Sequence, residues 1–267
     1  MKDYLTRPQI KKRARETMKG HFGTAFSLNW LPVIGTILVG LLFAGLFAGL
    51  TYAISTSEAF RNSVTSAVNS ATEAGRNGSA AGGNGGVSPF TSFGGSLIGT
   101  ILSSGIGFAS LEWLRLKDHQ VLEHPFKKAF QGFKFEYLLG IVVLYILTSI
   151  AGIVGLMLFV IPAILFSYAF KIIYLLYYDV GDKYGYLELL KLSWKLMRGH
   201  KFDLFIFQLS FFWWYLGVIL TFGLLSIYFT PYYNLAFAAF YDNIYQNSEL
   251  AQENIANPED STDNLDY

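Results

Sequence analysis

Tyr137 to Tyr178 is a run of 42 residues with a single charge, Lys171. As one helix it would be about 63 Å long at roughly 1.5 Å per residue. That is about twice the ~30 Å of hydrocarbon in a bilayer. A soluble core of such length would need a polar shell. The chain has little to build one from. Only 15% of its 267 residues are Asp, Glu, Lys or Arg, and 52% are hydrophobic, whereas soluble domains carry about 25% charged residues. Lipid must therefore be part of the solvent. The run reads as two spans, 137-157 and 162-178, joined by a tight turn near Leu158–Ile161. Pro162 would open the returning helix, where its missing N–H costs nothing.

Leu204 to Tyr241 repeats the pattern. It is uncharged and divides near Gly223 into spans 204-222 and 224-244, with Pro231 expected to bend the last. Trp30 to Ala53 is another apolar run, too long for the roughly 7–15 residues of a signal-peptide core. It is expected to stay as an anchor spanning 30-53. A weaker span, 93-113, is rich in Gly and Ser. Small residues let helices approach closely in lipid, so Gly45-x-x-x-Gly49 and Gly95-x-x-x-Gly99 are expected to pack the first two spans together.

Lys and Arg counts orient the spans, because basic residues collect on the cytoplasmic side. Seven precede the first span: Lys2, Arg7, Lys11, Lys12, Arg13, Arg15 and Lys19. Segment 54-92 has two, Arg61 and Arg76. Loops 114-136 and 179-203 have five each, and the turns near 160 and 223 and the C-terminal tail have none. Six spans put every rich segment inside and every poor one outside. If the 42-residue run crossed once, the two five-charge loops would fall on opposite faces. The expected fold is all-α: a polytopic membrane protein of six transmembrane helices in three hairpins, with both termini cytoplasmic.

Outside the spans, Phe60, Val64, Val68 and Ala71 recur at helical spacing and predict a short surface helix. Gly75 to Gly95 is rich in Gly, Ser and Asn and is expected to be disordered. It lacks the Lys-Ser/Thr of a phosphate-binding loop. Asn77-Gly-Ser79 matches a glycosylation sequon. The tail 247-267 holds six acidic and no basic residues and is also expected to be disordered.

A threefold repeat marks the entries to the odd-numbered spans: Met18-Lys-Gly20-His21-Phe22, Phe130-Gln-Gly132-Phe133 and Met197-Arg-Gly199-His200-Lys-Phe202. A short basic helix should precede each, at 9–19, 125–131 and 185–198. In the third, Leu187, Leu190, Trp194 and Met197 make an apolar stripe, while Lys191, Lys195 and Arg198 lie elsewhere. Such helices are expected to lie in the membrane interface with their lysines reaching for headgroups. Each Gly would end its helix, so that every unit is a basic helix followed by a two-span hairpin.

Several of these residues carry a family resemblance. Met197-Arg-Gly-His-Lys-Phe-Asp-Leu-Phe, then Leu209-Ser-Phe, then Thr230-Pro-Tyr-Tyr with Ala238-x-Phe240-Tyr241, resembles the C-terminal signature of an uncharacterised family of bacterial integral membrane proteins. It is numbered 975 among the domains of unknown function. Arg13-Ala-Arg-x-x-Met-Lys-Gly20 is similar to its N-terminal signature, and Ile161-Pro162 followed by Tyr168 to its central one. The usual Ile-Pro-Gly is here Ile-Pro-Ala163. The resemblance implies a multi-pass plasma-membrane protein and carries over no catalytic or binding residues.

Little chemistry is legible in the spans. Lys171 is expected to snorkel from the fourth span. Asp179, Asp203 and Asp242 are expected at the inner boundary, solvated there, which weighs against a transporter built on a buried acid. His21, His119, His124 and His200 lack the tight grouping of a metal site. With no cysteine, thiolate chemistry is excluded, and no Gly-x-Ser-x-Gly elbow occurs. The cluster Phe211 to Tyr215 is expected to pack helices, and Tyr228, Tyr232 and Tyr233 to form an interfacial belt near the outer face. No enzyme activity, metal, cofactor or nucleic-acid partner is expected. Membrane lipids are the expected partners, with membrane-protein partners unidentified. His21, His200, Lys19 and Arg198 are the candidate contacts to headgroups or helix ends. The functional expectation is a non-enzymatic envelope or lipid-associated accessory protein. The alternative is a transporter or channel for an apolar or amphipathic solute.

Overall fold

A computed structural model of the chain describes residues 4–56, 58–76, 89–116, 120–158 and 160–256. Every regular element among them is helical. In order these are α1 (Arg7–Met18), α2 (Phe22–Thr56), α3 (Glu58–Arg76), α4 (Pro89–Arg115), α5 (Pro125–Ala129), a 3-10 turn (Gln131–Phe133), α6 (Phe135–Leu158), α7 (Val160–Phe170), α8 (Ile173–Val180), α9 (Tyr186–Leu196), α10 (Lys201–Leu209), α11 (Phe212–Leu220), α12 (Ser226–Gln246) and α13 (Glu249–Ala256).

Among the described residues four stretches are long and apolar enough to cross a membrane: Phe22–Tyr52, Ser96–Arg115, Phe135–Gly155 and Lys201–Leu220. These mark the chain as a membrane protein. The expected fourth and sixth spans are absent from this set. The fourth is divided at Lys171–Ile172 into α7 and α8. The sixth, α12, is continuous but less apolar. It lies inside the bundle, where 14 of its 21 residues are buried, so its surroundings are other helices rather than solvent or lipid. The fifth also carries a break, at Ser210–Phe211 between α10 and α11.

α2 is longer than expected, 35 residues with Pro32 inside it. Its upper half is exposed on all sides, with Phe43 and Phe47 about 70% accessible. Nothing approaches Gly45, Gly49 or Gly99. The expected close packing through these glycines therefore does not form. The surroundings of Gly95 lie outside the described residues. α2 instead meets the turn between α11 and α12, where Phe222 and Gly223 take positive φ and lie against Thr36–Gly40.

The surface helix predicted from Phe60, Val64, Val68 and Ala71 is present as α3. Helix claims both ends of the expected disordered stretch, to Arg76 in α3 and from Pro89 in α4, and residues 77–88 lie outside the described residues. The tail also departs from expectation. Its start is helix α13, with Ala251 buried and Lys195 Nζ 3.4 Å from Glu249. Residues 257–267 lie outside the described residues.

The three short basic helices form, but they pack on different partners from those their order implies. α5 lies against α2 and α4, which precede it, and α9 lies against α6, α7 and α8, which precede it. α1 packs along α12 and reaches α10 through Arg7 Nη2 and Asp203 Oδ1, 2.8 Å apart. α5 and α9 thus lie against helices that precede them in the chain, and α1 lies against α12.

α9 buries Leu189 and Ser193, with Met197 buried at its end, while Leu187 and Trp194 stay exposed. The hydroxyl of Ser193 donates to the carbonyl of Ala169 at 2.7 Å. That carbonyl lies in the last turn of α7, where helix geometry leaves it no partner of its own. The break at Lys171–Ile172 therefore creates an acceptor, and α9 satisfies it.

Candidate functional site: an ion-pair cluster and two basic clefts

Four helices converge where α4, α8 and α12 end. Asp242, its side chain 3% exposed, accepts from Arg13 Nη1 at 2.7 Å and from Arg115 Nε at 2.9 Å. The Arg115 guanidinium forks onto Asp179, Nη1 to Oδ1 at 2.7 Å and Nη2 to Oδ2 at 2.8 Å. Asp179 also accepts the hydroxyl of the fully buried Tyr241 at 2.8 Å. Arg13 Nη2 donates to the Leu114 carbonyl at 3.2 Å. Two arginines and two aspartates balance in charge and tie α1, α4, α8 and α12 together. A forked guanidinium on carboxylate is among the strongest side-chain pairings.

This overturns the expectation that Asp179 and Asp242 are solvated. Burial would be costly for either acid alone, and arginine makes it tolerable. Asp203 does keep partial solvent contact, at 44% exposure, beside Arg7 and 3.5 Å from His200 Nδ1. The sequence concealed the cluster because its pairs are 64 to 229 residues apart. One signal was present, the dipeptides Tyr178-Asp179 and Tyr241-Asp242 near the ends of the fourth and sixth spans.

The two histidine repeats fold alike. His21 N–H donates to the Met18 carbonyl at 3.1 Å, and His200 N–H to the Met197 carbonyl at 3.1 Å. Between them Gly20 and Gly199 sit at φ +82° and +92°, in the left-handed region that favours glycine. The histidine carbonyls then accept from Ala25 and Leu204 as the next helices begin. Both histidines are therefore helix-end residues. The middle copy keeps the equivalent bond, Phe133 N–H to the Phe130 carbonyl at 2.9 Å, but forms it as a 3-10 turn with Gly132 outside the left-handed region. Gly132 has another task. It lies against Ile101 and Gly105 of α4, so close that a Cβ would strike the Ile101 carbonyl. Since nothing crowds Gly20 or Gly199, Ala at either should cost only backbone strain, about 1–2 kcal/mol. Thermal unfolding in detergent checks this, and an unchanged midpoint for both would refute the left-handed assignment.

Lys19 and Arg198 are both exposed, and they line two separate clefts. Lys19 shares one with Lys12, Arg15, Phe22 and Tyr228. Arg198 and His200 line the other, with Tyr4, Lys195 and Leu250. The Tyr4 and His200 rings are 5.0 Å apart. Lys11 lies nearby with its ammonium 4.1 Å from the centre of the Phe211 ring. Burial, and then the charge of Arg15, lower its pKa. His119 lies outside the described residues, and His124 starts α5 in a left-handed conformation. Among the described residues no group of three His, Asp or Glu is placed to hold a metal.

The aromatic cluster splits. Phe211 is buried edge-on against Phe207, Tyr232 and Tyr233, and Trp214 stacks on Phe229. Phe212 and Trp213 stay exposed. The tyrosine belt does not form as expected. Tyr232 is buried, and Tyr233 accepts from Gln208 Nε2 at 3.3 Å. Only Tyr228 reaches the surface, beside Phe22 at the start of α2. These rings knit α12 to α10 and α11, which is why they sit inside.

Residues 150–248 match the family described as protein of unknown function (DUF975). The DUF975 match runs from late α6 through α12. It takes in Asp179, Tyr241 and Asp242, and the Met197–His200 turn, whereas Arg13 and Arg115 lie outside it. No curated protein and no solved structure matches the chain.

Proposed function

We propose that the chain is a six-span plasma-membrane protein with both termini cytoplasmic, and that it acts without catalysis, through lipids and protein partners of the envelope. The observation that carries this reading is the placement of the basic helices. Each packs against other helices and turns lysines or arginines outward, as with Lys12, Lys127 and Lys191. Beyond them α2, α6 and α11 expose apolar side chains such as Phe47, Ile153 and Trp213. In this reading α7–α8 and α12 are the fourth and sixth spans, and the bundle shields their breaks and polar groups from lipid. Each basic residue near an anionic leaflet contributes about 1 kcal/mol of attraction.

The fate of the buried acids supports a non-enzymatic role. Asp179 and Asp242 are both engaged by arginine, which ties both carboxylates into the packing of the bundle. The topology is tested directly, because the chain has no cysteine. With Ser79→Cys, an impermeant maleimide should label intact cells. With Lys191→Cys, labelling should require permeabilised cells. Equal labelling of both would overturn six spans. For activity, reconstituted protein should pass no solute from a broad amphipathic panel. Flux that tracks the protein would replace this reading with a carrier.

A further inference from the structure

The elbow between α1 and α2 holds an open cleft of about 600 Å³. Its lining has two characters. Lys12, Arg15 and Lys19 follow one another at steps of three and four, so they form one stripe along α1. The same cleft is lined by Met18, Phe22 and Tyr228. The Phe22 and Tyr228 rings lie nearly parallel, 16° apart in tilt with centroids 6.2 Å apart, and both remain more than a third exposed.

The charge on this stripe is largely uncompensated. Glu16 also lines the cleft, but it sits 3.6 Å from Lys12 and neutralises that lysine alone. Among the described residues no carboxylate pairs with Arg15 or Lys19, unlike Arg7, Arg13 and Arg115 on the same side of the fold. Gly20 turns the chain sharply between Lys19 and Phe22, so that cations of α1 and the apolar rings of Phe22 and Tyr228 line one opening. A phosphodiester fits the first and an acyl chain the second.

From this juxtaposition we propose that the α1–α2 elbow binds one anionic glycerophospholipid, its phosphate between Arg15 and Lys19 and its acyl chain along Phe22 and Tyr228. The proposal rests on the lipid-associated reading above and adds a site and a ligand class to it. An amphipathic helix lying generally on a charged surface would use all its outward lysines alike. A cleft with its own apolar wall would not.

The test uses the full-length protein in neutral detergent, titrated with dioleoyl phosphatidylglycerol or dioleoyl phosphatidylcholine and read by native mass spectrometry. Wild type should retain one phosphatidylglycerol in preference to phosphatidylcholine. The variant K12Q/R15Q/K19Q should bind that lipid roughly a hundredfold more weakly. The charge-matched variant K127Q/K134Q/K191Q, altered on other exposed lysines, should stay within about threefold of wild type. Should the triple variant fold poorly by size exclusion, Arg15→Gln alone should still weaken binding about fivefold. Equal losses in both triple variants, or none in the first, would overturn the cleft and leave the wider lipid reading standing. No preference for the anionic lipid in wild type would overturn both. Competition by soluble glycerol phosphate at the same concentration would identify a phosphate site and overturn the lipid assignment.

Discussion

Asp242→Asn is expected to destabilise the protein by about 3 kcal/mol. Asparagine keeps the shape of the side chain but removes one of the two charges that balance Arg13 and Arg115. Breaking a buried pair from one side costs about 3–5 kcal/mol, because the remaining charge stays behind unpaired. Here the arginines are 34% and 30% exposed, so water softens the loss and the lower figure applies. Asp203→Asn is the control. Its pair with Arg7 is about half exposed on both sides, where such bridges contribute less than about 1 kcal/mol. Unfolding followed by near-ultraviolet circular dichroism in detergent would compare the two. The double variant Asp242→Asn with Arg13→Gln should recover part of the loss, since it removes one stranded charge. If Asp242→Asn proves no costlier than Asp203→Asn, the cluster is not the tie described above.

The second large effect is expected at Gly105. A Cβ there would lie 2.5 Å from the carbonyl oxygen of Ala129 and 2.9 Å from the amide nitrogen of Gly132. Both are backbone atoms, so no rotamer change relieves the clash. Gly105→Ala must push α5 and the following 3-10 turn off α4. It should also break the bond from Gln131 Nε2 to the Gly105 carbonyl, 3.1 Å long and buried. Overpacking alone costs about 1–3 kcal/mol, and stranding a buried amide adds about 1–3 more. The expected total is about 3 kcal/mol or above, seen as lost monodisperse protein or a lowered melting temperature. Gly45→Ala, in open space, should change stability by less than about 0.5 kcal/mol. Equal tolerance at the two positions would refute the docking of α5 on α4.

Lengths and local spacings were legible in the sequence. The 42-residue run had to turn, and Tyr177 of α8 does lie back against Gly140 of α6, while Phe159, within the expected turn, lies outside the described residues. The Gly-His entries were legible as well, because a left-handed glycine and its flanking bonds are local. What stayed hidden depends on neighbours distant in the chain. Nothing near Asp242 in sequence announces Arg13. Nothing near α12 announces that it is enclosed, so its modest apolarity and its tyrosines read as a lipid-exposed belt. The cations of α1 were counted for orientation alone. That count does not distinguish Arg13, buried in an ion pair, from Arg15, open to a cleft. The glycine pairs show the converse error. Gly45 and Gly49 looked like a packing motif and touch nothing, while Gly105 carried no signal and Gly132 was read only as a repeat glycine, yet these two bring the backbones of α4 and the 3-10 turn into close contact.

The groove that α1 occupies has a consequence for the order of assembly. α1 precedes every other described helix in the chain, yet its seat lies on α12. Arg13 must wait for Asp242, 229 residues later in the chain. At about 5–20 residues per second that delay is roughly ten to fifty seconds. Through all of it the ionic knot lacks a member, and α1 lacks the α12 surface along which it packs. Among the described helices α1 is made first and seated last, so a nascent chain arrested before Asp242 would carry it as an unseated arm.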